Sequence, residues 1–271
     1  MATLNPRQQS GPSPQPVSWS GGTVPRTVQR TAQKDAAFLL HYLRAGMRLL
    51  DCGCGPGTIT VGLADAVAPG EVVGVDIGAQ QIALARANAA QKGKPNIRFQ
   101  VGDVSSLPFE DSSFDVVYAN ALLMWLNEPL GALQEMRRVL RPGGLIGVRD
   151  PDGGSTVYDP GGAGLYQVSE LGKLLAWGGR DPRTGRRNRG LLRAAGFARC
   201  EGFADCEYAG AVDTVEAFAE TQAKWPAAWA EAGLGDRPTL QRLAQEYLEW
   251  GRSPDAFWAM MWCSAIGWKE G

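Results

Sequence analysis

The sequence predicts an α/β fold built on a doubly wound, mostly parallel sheet. Short apolar runs rich in β-branched residues alternate with helix-period segments between residues 47 and 150. Two of these runs end in an aspartate, and the first is followed by a glycine-rich turn that opens a helix. Alternation at this spacing is typical of parallel strands joined by right-handed crossover helices.

The first predicted strand runs into a glycine-rich turn with an acid at its mouth. The segment MRLLDCGCGPGT, residues 47–58, gives an apolar strand, then Asp51, and a turn that contains Gly53, Gly55 and Gly57. Glycine allows left-handed dihedrals and a close approach of the backbone to a ligand. Thr58 opens a helix whose N-terminal amides face the same place. The turn therefore predicts a ligand-binding loop.

The spacing of the glycines disfavours two common nucleotide loops. A dinucleotide fingerprint needs a third glycine at position 58, which is Thr58, and this disfavours a nicotinamide oxidoreductase. A phosphate-binding P-loop needs a lysine after the glycines, and none follows. Asp51 would also repel a pyrophosphate, but it suits a cationic or amino-acid-bearing ligand.

Four further strands follow in order. The second, EVVGVD (71–76), ends in Asp76, where an acid can accept hydrogen bonds from ribose hydroxyls. The third lies in IRFQVGDVSSLPF (97–109), which also contains Asp103. The segment SFDVVYANALLMWL (113–126) predicts a fourth strand followed by a helix. A helix end, a Pro-Gly-Gly turn and a fifth strand come from RRVLRPGGLIGVRD (137–150).

In this order, with LPF-x-D-x-S-FD-x-V and RVLRPGG, the motifs resemble class I S-adenosylmethionine-dependent methyltransferases. The resemblance covers roughly residues 35–150 and is strongest to the small-molecule, ubiquinone/menaquinone-biosynthesis type. It implies a Rossmann-like seven-stranded sheet with an antiparallel last strand and a helical cap. It also implies S-adenosylmethionine as cofactor and S-adenosylhomocysteine as product.

The resemblance assigns cofactor contacts residue by residue. Asp51, the three glycines and Thr58 would shape the loop under the methionine part. Asp76 would hold the ribose, with Ile77 packing on the adenine ring. Asp103 would accept from the adenine amino group beside the Val104 backbone, and Asn120 would lie near the methionine end. Ordinary packing of Ile77 and local capping by Asn120 remain alternatives.

The sequence divides into four predicted regions. Residues 1–22 form a Pro/Ser/Gln-rich tail, and residues 23–150 form the cofactor-binding core, opened by a helix from about 26 to 43. Residues 151–189 form a lid or insertion that includes a helical stretch at 165–177. Residues 190–271 complete the sheet and carry a helical substrate cap: a helix ending near Gly196, a strand at 198–211, two helices within 213–250 and a last strand at 256–268.

The reaction predicted is in-line (SN2) methyl transfer to a small acceptor. Seven of nine tryptophans follow residue 170, which suits an apolar or aromatic acceptor, although packing of the two late helices and the last strand is the alternative explanation. Five arginines between 180 and 189 would suit an anionic group on it, although a solvated basic loop is the commoner case. The candidate bases are Asp150, Tyr158 and Tyr166, whereas the sole histidine, His41, is expected to be structural.

Composition adds limits. A net charge of −1 over 271 residues gives no basic field for nucleic acid, and the cysteine and histidine spacing predicts no metal site. No apolar run is long enough to span a membrane, so we expect a cytoplasmic protein, with a homodimer possible. The alternative function is a cofactor-binding scaffold that transfers no methyl group.

Overall fold

The structure, a computed structural model, describes residues 30–162, 165, 181, 183–231 and 236–271. Its centre is a parallel sheet in the order β3-β2-β1-β4-β5. The strands are β1 Leu49–Cys52, β2 Val72–Asp76, β3 Ile97–Val101, β4 Phe114–Asn120 and β5 Leu140–Pro151. The strand order reverses between β1 and β4, and ligands of open α/β sheets bind at the carboxyl ends of the strands at such a point. The predicted fold class is confirmed.

The last strand is antiparallel, as predicted. It is β8, Phe257–Trp268, and it lies between β5 and β7, Arg199–Ala209, antiparallel to both. β5 pairs only with residues 262–268 of β8, and the first residues of β8 pair with a short strand, β6, Val157–Asp159. The described part of the chain therefore has eight strands, one more than the resemblance implies.

Helices cover both faces of the sheet. On one face the short helices α1 (Ala32–Asp35) and α2 (Ala37–Leu40) pack with α3 (Thr58–Val67). On the opposite face lie α5 (Pro129–Val139) and α6 (Thr184–Ala194). Helix α4 (Ala79–Gln91) joins β2 to β3. Apolar burial on both faces explains why the central strands read as continuous apolar runs.

A second core lies beyond the parallel sheet. Helices α7 (Val212–Glu231) and α8 (Arg237–Gly251) pack on β6 and on the N-terminal half of β8. Its buried aromatic residues are Tyr158, Phe218, Tyr247, Trp250 and Trp258. This cap matches the two helices predicted within 213–250, while the division into four regions stays a prediction. No described helix combines the length and apolarity needed to cross a bilayer.

Two predicted helices are wrong in form. Within the described residues 30–43, the helix expected at about 26–43 is two four-residue helices that break at Ala36, and the first follows Thr31, whose side chain accepts from the Lys34 amide. Residues 26–29 of that prediction lie outside the described residues. The helix expected after β4 is a single 3-10 turn, Leu123–Trp125, and α5 begins at Pro129. Ala121 lies between β4 and the 3-10 turn and has a φ of 51°, which does not allow a continuous α-helix at this point. The tail at 1–22 and, apart from Leu165, the helix at 165–177 lie outside the described residues.

Candidate functional site

The glycine-rich loop lies against the carboxyl end of β2. The amides of Gly53 and Cys54 both donate to the Val75 carbonyl, at 2.7 and 3.0 Å. Gly53, Gly55 and Gly57 all have positive φ angles. A Cβ on Gly53 or Gly57 would meet a neighbouring side chain at 2.9 Å, whereas a Cβ on Gly55 would meet nothing within 4 Å. The loop is therefore supported from behind and open at its tip.

Asp51, at the end of β1, is buried beside this loop. Its carboxylate accepts a 2.6 Å hydrogen bond from the hydroxyl of Thr60, in the first turn of α3. Burial raises the pKa of Asp51 to about 7; the Thr60 hydrogen bond opposes this shift and the nearby Asp76 charge adds to it. A buried carboxyl with a pKa near neutrality is favoured in its ionised form by a cationic ligand.

Asp76 connects the loop to the second strand. One carboxylate oxygen accepts from the Gly55 amide at 2.9 Å, and the other accepts from the Gly78 amide at 2.8 Å. Ile77, next in the chain, is 75% exposed, so its side chain is available to pack on a planar ligand. The acid predicted to hold a ribose thus stands at the open tip of the loop.

Asp103 and Val104 lie in the turn after β3. The Asp103 side chain is exposed and accepts from the Ser105 amide at 2.8 Å, while Val104 is buried. The Gly102 amide donates to the Asp76 carbonyl at 3.1 Å, which holds this turn next to the end of β2. The structure therefore brings Asp76 and Asp103, the residues predicted to bind the ribose and the adenine, to adjacent strand ends.

Asn120, the last residue of β4, is buried with an unsatisfied side chain. Neither its amide nitrogen nor its amide oxygen has a hydrogen-bond partner among the described residues. Buried polar atoms are normally paired, so an unpaired amide at a strand end favours a missing ligand. Together with the open loop tip and the buried Asp51, this amide fits the methionine end of S-adenosylmethionine. The cofactor contacts of each residue remain a proposal.

The three candidate bases do not share one place. Asp150, at the end of β5, is fully buried and accepts from the Met124 amide at 3.2 Å. The hydroxyl of Tyr158 lies in the cap, 2.8 Å from that of Tyr247. Tyr166 lies outside the described residues. Both described candidates are thus engaged within the protein, and neither presents a free group to an acceptor.

Arg149 is a buried charge that the sequence reasoning missed. Its terminal nitrogens both bind the Asp205 carboxylate of β7, and its Nε lies 4.0 Å from an oxygen of Asp35. Its guanidinium stacks 4.8 Å from the Trp262 ring centroid. It neighbours Asn120 in the pairing of β4 and β5. An arginine inside the apolar run LIGVRD was the available signal, because a buried arginine requires partners.

The arginine run is not a free cluster where the structure describes it. Arg186 donates to the buried carboxylate of Asp152 at 2.6 Å, and Arg187 donates to Asp181 at 2.9 Å. Arg183 lies 3.9 Å from the same Asp181 carboxylate. Much of the positive charge is therefore balanced locally, which favours the commoner alternative of an ion-paired surface segment over an anion clamp.

Comparisons with known proteins agree with this geometry. A family model described as "Methyltransferase domain" matches residues 43–176. The probable methyltransferase ltbC of Aspergillus luteorubrus is 40% identical over 141 residues, which are 49% of this chain and 50% of that protein. The chain thus spans about half the length of the curated relatives it matches.

Solved structures share the fold. The YcgJ protein of Bacillus subtilis is 20% identical, with a TM-score of 0.61 over 88% of this chain and 99% of that one. The [4+2]-cyclase SpnF is 25% identical, with a TM-score of 0.53 over 90% and 85%. Motifs, sheet order, loop geometry and family model coincide on the same half of the chain. Residues 43–176 of the chain therefore form a methyltransferase domain of the class I type.

Proposed function

We propose that this chain transfers the methyl group of S-adenosylmethionine to a small, apolar or aromatic metabolite. One observation carries the proposal. At adjacent strand ends the structure holds an open glycine tip bonded to Asp76, the buried carboxyl of Asp51 and the unpaired amide of Asn120. These groups match the ribose, the cationic part and the amino-acid part of that cofactor, respectively.

In this proposal the residues of the chain bind the cofactor, orient the acceptor and exclude water. When bound, S-adenosylmethionine supplies a methyl group already activated on a sulfonium sulfur. Asp76 would accept from the ribose hydroxyls, and Asn120 would pair with the amino-acid end. The protein then needs chiefly to align the acceptor, a contribution of about 7 to 11 kcal/mol in favourable cases.

The acceptor class follows from the surroundings of the β5 end. Trp262 pairs with Pro151 at that end, and its ring lies against the guanidinium of Arg149. Trp250 and Trp258 are buried in the cap next to it. This concentration of aromatic side chains supports a ring-bearing or apolar acceptor.

The second candidate is a protein that binds the cofactor without methyl transfer. SpnF, whose fold this chain shares, is a [4+2]-cyclase. A cyclase activity would use the cap and leave the glycine loop intact, so the loop alone does not separate the two functions.

Calorimetric titration with S-adenosylmethionine, S-adenosylhomocysteine and NADH tests the cofactor. We expect binding of the first two ligands in the micromolar range, about 8 kcal/mol, and no binding of NADH. Release of S-adenosylhomocysteine with phenols or isoprenoid acids would then support methyl transfer. Binding with no such release across the acceptor panel would favour the scaffold. Failure of both adenosyl ligands to bind would overturn the proposal.

A further inference from the structure

Asp150 lies on the face of β5 that packs against α6. Its side chain is fully buried, and one carboxylate oxygen is 3.4 Å from the amide nitrogen of Asn188, on α6. The same Asn188 nitrogen donates to the Cys263 carbonyl of β8 at 3.2 Å. The neighbouring Arg149 points to the other face of the sheet, as strand alternation requires. Asp150 is therefore enclosed by protein on the α6 side.

The other oxygen of Asp150 holds the turn that follows β4. It accepts from the Met124 amide at 3.2 Å, in the middle of the 3-10 turn Leu123–Trp125. The amides of a turn this short have few partners within it, so an outside acceptor fixes its position. The carboxyl thus joins this turn to α6 and, through Asn188, to β8.

The same turn forms a wall of the glycine loop. Leu122, immediately before the turn, packs so closely on Gly53 that a Cβ there would lie 2.9 Å from the Leu122 side chain. The amide of Trp125 donates back to the Leu122 carbonyl at 2.9 Å, and this hydrogen bond connects Leu122 to the turn. A continuous chain of contacts therefore runs from Asp150 through Met124 and Leu122 to the loop.

We propose that Asp150 is a positioning residue: its carboxyl seats the Leu123–Trp125 turn, which sets the wall of the cofactor loop, and it takes no proton from the acceptor. A general base must come within hydrogen-bond reach of the proton it removes, and this carboxyl is enclosed with both oxygens engaged. This inference rests on the proposed function, because it concerns the same site.

The protonation state does not alter this role. Burial raises the pKa of Asp150 to about 7, and this shift is opposed by the hydrogen bonds from Met124, Leu123 and Asn188 and by the charge of Arg30. A protonated carboxyl keeps a carbonyl oxygen that still accepts from the Met124 amide. The hydrogen bond from the Met124 amide to Asp150, which positions the turn, is therefore retained on both sides of neutral pH.

The test compares Asp150→Asn with Asp150→Ala by calorimetric titration of S-adenosylhomocysteine, which requires no acceptor. Asparagine keeps an oxygen for the Met124 amide and cannot act as a base, and alanine keeps neither property. We expect Asp150→Asn to bind within about 3-fold of wild type and Asp150→Ala to bind about 10-fold more weakly. A merely structural role would lower the melting temperature of the alanine variant and leave its affinity unchanged.

Leu122→Ala tests the same chain of contacts without altering Asp150. It removes the contact with Gly53 and should also weaken S-adenosylhomocysteine binding several-fold. Leu130→Ala is the matched control, since Leu130 packs on the same apolar core as Leu122 and should leave the affinity unchanged.

Three results would overturn the inference. Unchanged affinity in both Asp150→Ala and Leu122→Ala would show that the turn does not set the loop. Equal loss in Asp150→Asn and Asp150→Ala would show that the charge itself matters. A wild-type protein that binds no S-adenosylhomocysteine would instead overturn the proposed function, and this inference with it.

Discussion

Gly55 is the residue whose replacement best separates ligand binding from folding. It has a φ of 52°, and a Cβ there would meet nothing within 4 Å. In Gly55→Ala the backbone strain should cost about 1 kcal/mol, and the new methyl group would enter the space at the loop tip where we propose that the cofactor binds. We expect a loss of S-adenosylhomocysteine affinity of at least 10-fold by calorimetry.

Gly143→Ala is the matched control for that strain. Gly143, in the irregular part of β5 between the paired residues Leu140 and Leu145, also has a positive φ, 77°, and open space at its Cβ. Its replacement should lower stability by a similar amount and leave ligand affinity unchanged. Equal affinity losses in Gly55→Ala and Gly143→Ala would show that the loss comes from backbone strain and not from the position of Gly55 beside the ligand.

Asp76→Ala should weaken S-adenosylhomocysteine binding by about 2 to 3 kcal/mol, because it removes the acceptor of the two charge-assisted hydrogen bonds that we propose with the ribose. The Gly55 amide would also lose its acceptor. Calorimetric affinity checks this expectation. Asp65→Ala, which removes a surface carboxylate paired with Lys94, is the control. Unchanged affinity in Asp76→Ala would refute the ribose assignment.

At the residue scale, the sequence could predict the positions at strand ends but not the partners of buried polar groups. Asp51, Asp76 and Asn120 were identifiable because an apolar strand leads to each of them. The hydrogen bond from Thr60 to Asp51 and the ion pair between Arg149 and Asp205 depend on contacts between distant segments. Spacing along one chain gives no information on such contacts.

At the element scale, the hydroxyl pair of Tyr158 and Tyr247 joins β6 to α8. The two oxygens are 2.8 Å apart and buried. Tyr158→Phe or Tyr247→Phe alone should destabilise the protein by about 1 kcal/mol, since each leaves a buried hydroxyl without this partner. The double variant should be less destabilised than the sum, which a double-mutant cycle in urea will measure.

The same variants test the sequence-based role of Tyr158. If the tyrosine only joins the cap, Tyr158→Phe will retain the ligand affinity and turnover of Tyr247→Phe. A loss of turnover specific to Tyr158→Phe would restore it as a candidate base.

Elements were predictable where apolar periodicity is long, and less so where a single residue interrupts it. Strands β1 to β5, the late strands and the two cap helices all have such periodicity. The apolar run at 121–126 reads equally well as a helix. Its 3-10 turn donates to Asp150 from the Met124 amide and follows Ala121 at a positive φ, and the sequence pattern marks neither feature. The break at Ala36 likewise has no marker in the sequence.

At the scale of the whole molecule, two buried carboxyls should make stability depend on pH. Burial raises the pKa values of Asp51 and Asp150 to about 7. Between about pH 4 and 7 the folded state therefore holds protons that the unfolded chain has released. The free energy of unfolding should fall as pH rises through this range, by at most about 1.4 kcal/mol per pH unit for each group, and level off above pH 7.

Denaturant unfolding at pH 5, 6, 7 and 8 measures this dependence. The double variant Asp51→Asn/Asp150→Asn should lose most of the slope, because neither amide titrates. A slope that persists in the double variant would assign the pH dependence to other groups.

The place of β8 in the sheet has a consequence for how the protein is made. Leu145 of β5 pairs with Trp268 of β8, more than 100 residues later, and both cap helices intervene. During synthesis the first five strands emerge well before the strand that covers β5. Until then β5 presents an unpaired edge on which another nascent chain can add a strand. Production of this protein should therefore benefit from slow expression and from chaperones that shield such edges.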